Sequence, residues 1–194
     1  MSIEIQPESR PNFSRRGLIR TATLSAAAVA LLGGAERRAF ALDASAGDAD
    51  ILNVALGLEH EAIAAYQIGA ESKLLKPDVL KVAVAFQSHH KEHRDALAAT
   101  IKKLGGTPVE AKAQADYAKA LNAGALKDQA GVVGLAIKLE LGAANAYLGV
   151  IPSFQDKGLA QIAGRLAADE TMHWTALTGA AGGALPAKAL SFGA

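Results

Sequence analysis

Six residues combine metal-ligating chemistry with a repeated spacing. Glu59 and Tyr66 recur 81 positions later as Glu140 and Tyr147. His90-x-x-His93 recurs 80 positions later as Glu170-x-x-His173. Side chains three apart share one side of a helix and can close on a single ion. An inward Glu on one helix and a Glu-x-x-His on the next, used twice, is how four packed helices build a dinuclear carboxylate metal site. The third ligand position departs from this scheme, because His90 stands where the repeat calls for Glu.

The placement of these groups on apolar stripes supports that chemistry. At 100° per residue, Leu52, Ile63 and Tyr66 fall within about 40° of Glu59. Glu140 is flanked in the same way by Val133, Ala144 and Tyr147, and His93 and His173 centre their own stripes. A lone His on an apolar face is ordinarily a hydrogen-bonded core residue, and a lone inward Glu is ordinarily ion-paired. Six such groups converging, on faces without Lys or Arg, favour a metal. Tyr66 and Tyr147 read as core residues with satisfied hydroxyls, as donors to a carboxylate, or as redox-active groups. His89 lies close to His93 in angle and is an alternative ligand or a group behind one. Asp169 either accepts an N–H from His93 or is a solvated helix acid. His60, Glu61 and Glu92 fall off the stripes and are expected at the surface. Trp174 is expected to pack in an interface.

Four long helical patterns carry these residues. The first spans about 48–75. The second runs from Pro77, acceptable in a first turn, to Leu104, with Val79, Val82, Phe86, Leu97 and Leu104 on its apolar face. Gly105-Gly106-Thr107-Pro108 stops it. The third covers about 129–154, with Pro152 kinking or ending it. The fourth covers about 155–180, with Leu159, Ile162, Leu166 and Leu177 inside. Short turns make the first and second, and the third and fourth, antiparallel hairpins. The connection near 105–128, with a short helix expected around 111–121, is long enough to run the length of a bundle. It would return the third helix parallel to the second. The expected fold is therefore all-α, a four-helix bundle of two antiparallel hairpins joined by a long crossover. The bundle proper would span about 48–180, with a flexible Gly/Ala-rich tail over 181–194.

Composition narrows the chemistry further. The 194 residues suffice for one domain with a real core. There is no Cys, so thiolate sites and disulfides are excluded. His and carboxylate ligands suit Fe, Mn or Zn. Residues 1–41 hold six Arg and three Glu. The remainder carries 14 Lys plus Arg against 16 Asp plus Glu, a charge of −2 against +1 for the whole chain. That body has no basic stripe, and no nucleic-acid partner is expected.

The first 41 residues read as an export signal. Ser14-Arg15-Arg16-Gly17-Leu18-Ile19-Arg20 is a twin-arginine pattern, an uncharged stretch from Thr21 to Ala35 follows, and Ala39-Phe40-Ala41 offers small residues for cleavage. The stretch is too short and polar to cross a hydrocarbon core of ~30 Å, which needs about 20 apolar residues. The mature protein, residues 42–194, is expected in the periplasm or outside the cell, without a membrane anchor after cleavage.

On Glu59, Glu140, Glu170-Thr171-Met172-His173 and the His89-His90-Lys91-Glu92-His93 segment, the chain resembles the exported ferritin-like domain proteins, relatives of ferritins, rubrerythrins and other di-iron carboxylate bundles. The resemblance covers about residues 48–180. It implies that Glu59 and His93 bind one metal, that Glu140 and His173 bind the other, and that Glu170 bridges them. The second bridging carboxylate would stand at position 90. His90 removes one charge and one bridging oxygen, so the second metal is expected to bind more weakly. Iron is the first cofactor implied, as a di-iron or mononuclear site, with Mn or Zn as alternatives. The function implied is ferroxidase or peroxide- and oxygen-related redox chemistry, a metal-dependent oxidoreductase. The alternative is a non-catalytic stress-protection or binding protein with a structural metal or none. Homo-oligomers fit either reading.

Overall fold

The computed structural model describes residues 47–193. The export signal and its cleavage point lie outside the described residues. Those that are described form five α-helices and no strand: α1 (Asp48–Glu71), α2 (Pro77–Lys103), the short α3 (Gln114–Ala120), α4 (Gln129–Val150) and α5 (Lys157–Ala180). The helix limits follow local chemistry. Pro77 opens α2, where a missing N–H costs nothing. The Asp128 carboxylate accepts from the Gly131 N–H at 2.8 Å and caps α4. Asp156 accepts from the Gly158 N–H at 2.7 Å and caps α5. Gly105, at a φ of 80°, turns the chain out of α2. Pro152 ends α4 in a single 3-10 turn, Ile151–Ser153, rather than kinking it.

α1 with α2 and α4 with α5 are the two hairpins. Their ends are pinned together by polar contacts. Asp48 accepts from the backbone N–H groups of Gln155 and Asp156, at 2.9 and 3.1 Å, joining the start of α1 to that of α5. The Lys76 N–H donates to the Gln129 side chain at 2.9 Å, joining the start of α2 to that of α4. α2 and α4 are therefore parallel, as one long crossover requires.

That crossover is not a free loop. The Asn53 side-chain amide brackets it, donating to the Thr107 carbonyl at 3.0 Å and accepting from the Val109 N–H at 2.9 Å. Gln114 donates to the Ala64 carbonyl at 3.2 Å, and Tyr117 and Leu121 pack on Ala64 and Leu139. The crossover thus lies along α1 and over its groove with α4.

Two apolar clusters fill the bundle. One gathers Leu52, Leu56, Leu97, Ile101, Tyr147, Leu159 and Leu166, and the other Tyr66, Phe86, Val133 and Leu177. Val82, Leu104 and Ile162, expected inside, are exposed by 38–42%. By angle all three fall within about 20° of His93 or His173, so their exposure is not a matter of helical phase; Leu104 also lies just past the last residue of α2. The segment Gln129–Ser153 is long and apolar enough to cross a membrane. Here it carries the buried Glu140 and Tyr147 and packs on α1 and α5, with 33% of its apolar window buried. The Gly/Ala-rich tail folds back on the bundle: the Phe192 ring meets Trp174 edge-on, and the Gly193 N–H donates to the Asn145 side chain at 2.8 Å.

Candidate metal centre

Between the two apolar clusters lies a polar layer. Glu59 enters it from α1, His90 and His93 from α2, Glu140 from α4, and Glu170 and His173 from α5. All six are buried, none more than 8% exposed. Among the described residues, no Lys or Arg forms an ion pair with any of the three glutamates; every ion-pair partner is a histidine. The six residues divide into two overlapping groups able to hold an ion. Glu59, His90, His93 and Glu170 form the first, and His90, Glu140, Glu170 and His173 the second. Within each group the ligand atoms all lie within 4.8 Å of one another.

The two tyrosines do what neither stripe shows. Tyr147 on α4 donates to Glu59 on α1, and Tyr66 on α1 donates to Glu140 on α4. Seven residues of helix span about 10.5 Å, so neither hydroxyl reaches the glutamate of its own helix. The exchange works because α1 and α4 run antiparallel. Burial, with the carboxylate beside each phenol, pushes both tyrosines well above their ordinary pKa, so they stay protonated donors.

The histidines are held from behind. His93 Nε2 lies 3.2 Å from Asp169 Oδ2, so its Nδ1 faces the layer. His173 Nε2 lies 2.9 Å from His89 Nδ1, and its Nδ1 faces Glu140 and Glu170 at 3.3 and 3.4 Å. His89 and Asp169 are therefore counterparts in the repeat. The α2 segment carries His89-His90 where α5 carries Asp169-Glu170, so two acids become two imidazoles. His90 lies across the middle, Nδ1 at 2.8 Å from Glu59 and Nε2 at 3.2 Å from Glu140.

Electrostatics follow from this crowding. Burial alone would raise Glu59 and Glu140, but the imidazoles beside them hold both below the usual carboxylate range. Burial alone would lower the histidines, yet the carboxylates outweigh it. His93 is pushed up to about 10, and His90 and His173 also rise. Glu170 goes the other way, raised by burial that His173 and His93 only partly offset. Both Glu170 oxygens and His93 Nδ1 are buried without a hydrogen bond. The imidazole nitrogens nearest those oxygens, at 3.2 and 3.4 Å, are within ion-pair reach but not aligned to donate. Unpaired buried polar atoms are costly, and these three point into one space.

One group escaped the sequence analysis. Glu61, expected at the surface, is half-buried beneath the crossover; its Oε1 has no partner, and burial pushes its carboxyl up to about 7, with Lys112 pulling the other way. It stands beside a cleft between α1 and α4 that reaches His90 and Glu140 past Leu58, Ala62, Leu139 and Ala143. His60 is also half-buried, its Nε2 3.1 Å from the Val109 carbonyl, whereas Glu92 is exposed as expected. Both differences arise from the crossover, whose path over α1 leaves no mark in helical periodicity.

The profile of the family described as "Ferritin-like domain" matches residues 47–183. No curated protein matches the chain. Among solved structures, the chain is similar to a conserved hypothetical protein, rv2844, from Mycobacterium tuberculosis, with a TM-score of 0.58 and 23% identity. The match covers 72% of this chain and 92% of that one, and at this identity it speaks for the fold alone.

Proposed function

The chain belongs to the ferritin-like domain family, and on that premise we propose that it is an exported metal-binding oxidoreductase holding iron or manganese in the layer between its hairpins. The observation that carries this reading is the orphaned trio, Glu170 Oε1, Glu170 Oε2 and His93 Nδ1, buried together where, among the described residues, no Lys or Arg pairs with the glutamates. Cations compensate such atoms, and mixed imidazole and carboxylate donors suit iron, manganese or zinc. Glu59, His93, Glu140, Glu170 and His173 would be ligands, with His90 beside both positions. When bound, iron or manganese supplies the electrons that oxygen or peroxide accepts; ferrous iron would itself be the substrate of a ferroxidase.

The chain's own residues prepare that chemistry. Asp169 and His89 fix which nitrogen His93 and His173 present. Tyr66 and Tyr147 orient Glu140 and Glu59 and keep their own protons. The apolar clusters on either side exclude bulk water and strengthen every charge interaction within the layer. The narrow cleft beside Glu61, with room for about one water, is where small reactants would approach from the α1–α4 groove. Residues 1–41 would direct twin-arginine export, a route suited to a chain folded around its metal.

A second reading has its own support. His90 can donate to Glu59 and Glu140 at once, which partly neutralises the layer without any ion and suits a non-catalytic bundle. Elemental analysis of the protein from its native compartment, with oxygen consumption after adding ferrous iron, separates the two. Stoichiometric iron or manganese and turnover support the oxidoreductase. A metal-free, inert protein supports the second reading.

A further inference from the structure

The metal reading, on which this inference rests, leaves His90 without a role, since a histidine replaces an expected bridging carboxylate. We propose that His90 is itself the bridge, giving Nδ1 to the first ion and Nε2 to the second. The ring is 1% exposed and belongs to both ligand groups. Its two nitrogens point to different groups: Nδ1 lies 2.8 Å from Glu59 Oε2 and 3.8 Å from Glu170 Oε1, and Nε2 lies 3.2 Å from Glu140 Oε1. Glu170 divides in the same sense, Oε1 being 3.2 Å from His93 Nδ1 and Oε2 3.4 Å from His173 Nδ1. Each ion is then offered two imidazoles and two carboxylates, and one ring and one carboxylate span both positions.

Charge supports the same arrangement. On taking two ions the ring releases its N–H protons to solvent and becomes an imidazolate. Two divalent cations are then balanced by Glu59, Glu140, Glu170 and that ring. The imidazolate would thus restore the charge that the missing carboxylate would have carried, the opposite of the expectation that His90 weakens the second position. Spacing is the cost. Metal–nitrogen bonds of about 2.1 Å at each end of a rigid ring put the ions roughly 6 Å apart. Ions clamped by carboxylates alone stand about 3.5–4 Å apart. A ring also cannot shift its coordination as a carboxylate can.

Zinc, a redox-silent probe, tests this in the chelator-stripped chain. Metal content and anomalous diffraction should show two zinc ions per chain, roughly 6 Å apart, with His90 nitrogen on each. His90→Glu should keep two ions and draw them together to about 4 Å. His90→Ala should hold no more than one; circular dichroism verifies that each variant folds. Two wild-type ions within about 4 Å, a single ion, or two ions retained by His90→Ala would each overturn the bridge. These outcomes leave the metal reading standing. A folded wild type that takes up no zinc, iron or manganese would overturn both.

Discussion

Glu170→Gln should affect the metal-free and metal-loaded protein in opposite ways. Glu170 is wholly buried, is shared by both ligand groups, and has neither oxygen hydrogen-bonded. Without metal, that carboxyl bears a burial penalty of about 1–3 kcal/mol that His173 and His93 only partly offset. Glutamine keeps its shape and removes the charge, and its carbonyl oxygen can still accept from one of the neighbouring imidazoles. The stripped variant should therefore match or exceed the stripped wild type in stability, to within about 1 kcal/mol. Metal reverses the comparison. A ligand that binds only the folded state at about 100 times its Kd stabilises it by about 2.7 kcal/mol. For a domain of this size each kcal/mol raises Tm by roughly 2–4 °C, so the wild type should gain roughly 5–11 °C. The variant has lost the anion common to both groups and should gain less than about 2 °C at the same concentration. Calorimetry on chelator-stripped samples with and without manganese gives both numbers. An equal metal-induced shift in the variant, or a stripped variant weaker by more than about 3 kcal/mol, would refute this account of Glu170.

Other perturbations bear on neighbouring groups. His173→Ala should strip more metal than His89→Ala, while Asp169→Asn should weaken binding about 10–100-fold; equilibrium dialysis measures all three. Tyr147→Phe removes a donor to a charged group and should cost about 1.5–3 kcal/mol in urea unfolding, with Tyr66→Phe alike; two silent variants would show that the exchanged hydroxyls do not support the glutamates. Glu61 has a folded pKa of about 7 against an ordinary 4.5, so its contribution is intact below 4.5 and is lost as pH rises through 7. Glu61→Gln should thus raise stability by about 1 kcal/mol at pH 8, after discounting for partial solvent screening, and by nothing near pH 4. Changing Arg15 and Arg16 to Lys should leave full-length protein in the cytoplasm, which cell fractionation detects.

The helices and the six convergent side chains were legible because both depend on local spacing. Periodicity put Glu59 and Glu140 on buried stripes, and the 80- and 81-residue offsets tied the hairpins together. What remained hidden depends on how hairpins meet. Each Tyr follows its own Glu by seven residues, yet serves the other helix's Glu, as only antiparallel docking reveals. His90 reads as a lost carboxylate until both of its nitrogens are seen facing ligand groups. Glu61 reads as exposed because the crossover that covers it is fixed by Asn53 and Gln114, residues with no helical signature for that role.

The division of ligands between the hairpins also has a kinetic consequence. Each hairpin forms from contacts close in sequence, but neither holds a complete ligand group. The first group draws only Glu170 from α5, and the second draws only His90 from α2. An ion would therefore gain its full set of four ligands only once the hairpins have docked, late in folding, and would lose one of them as they part. Metal should leave the refolding rate nearly unchanged and slow unfolding by almost its whole stabilisation, about 100-fold at 2.7 kcal/mol. In such a chain the ion acts as a removable cross-link that sets the lifetime of the folded state.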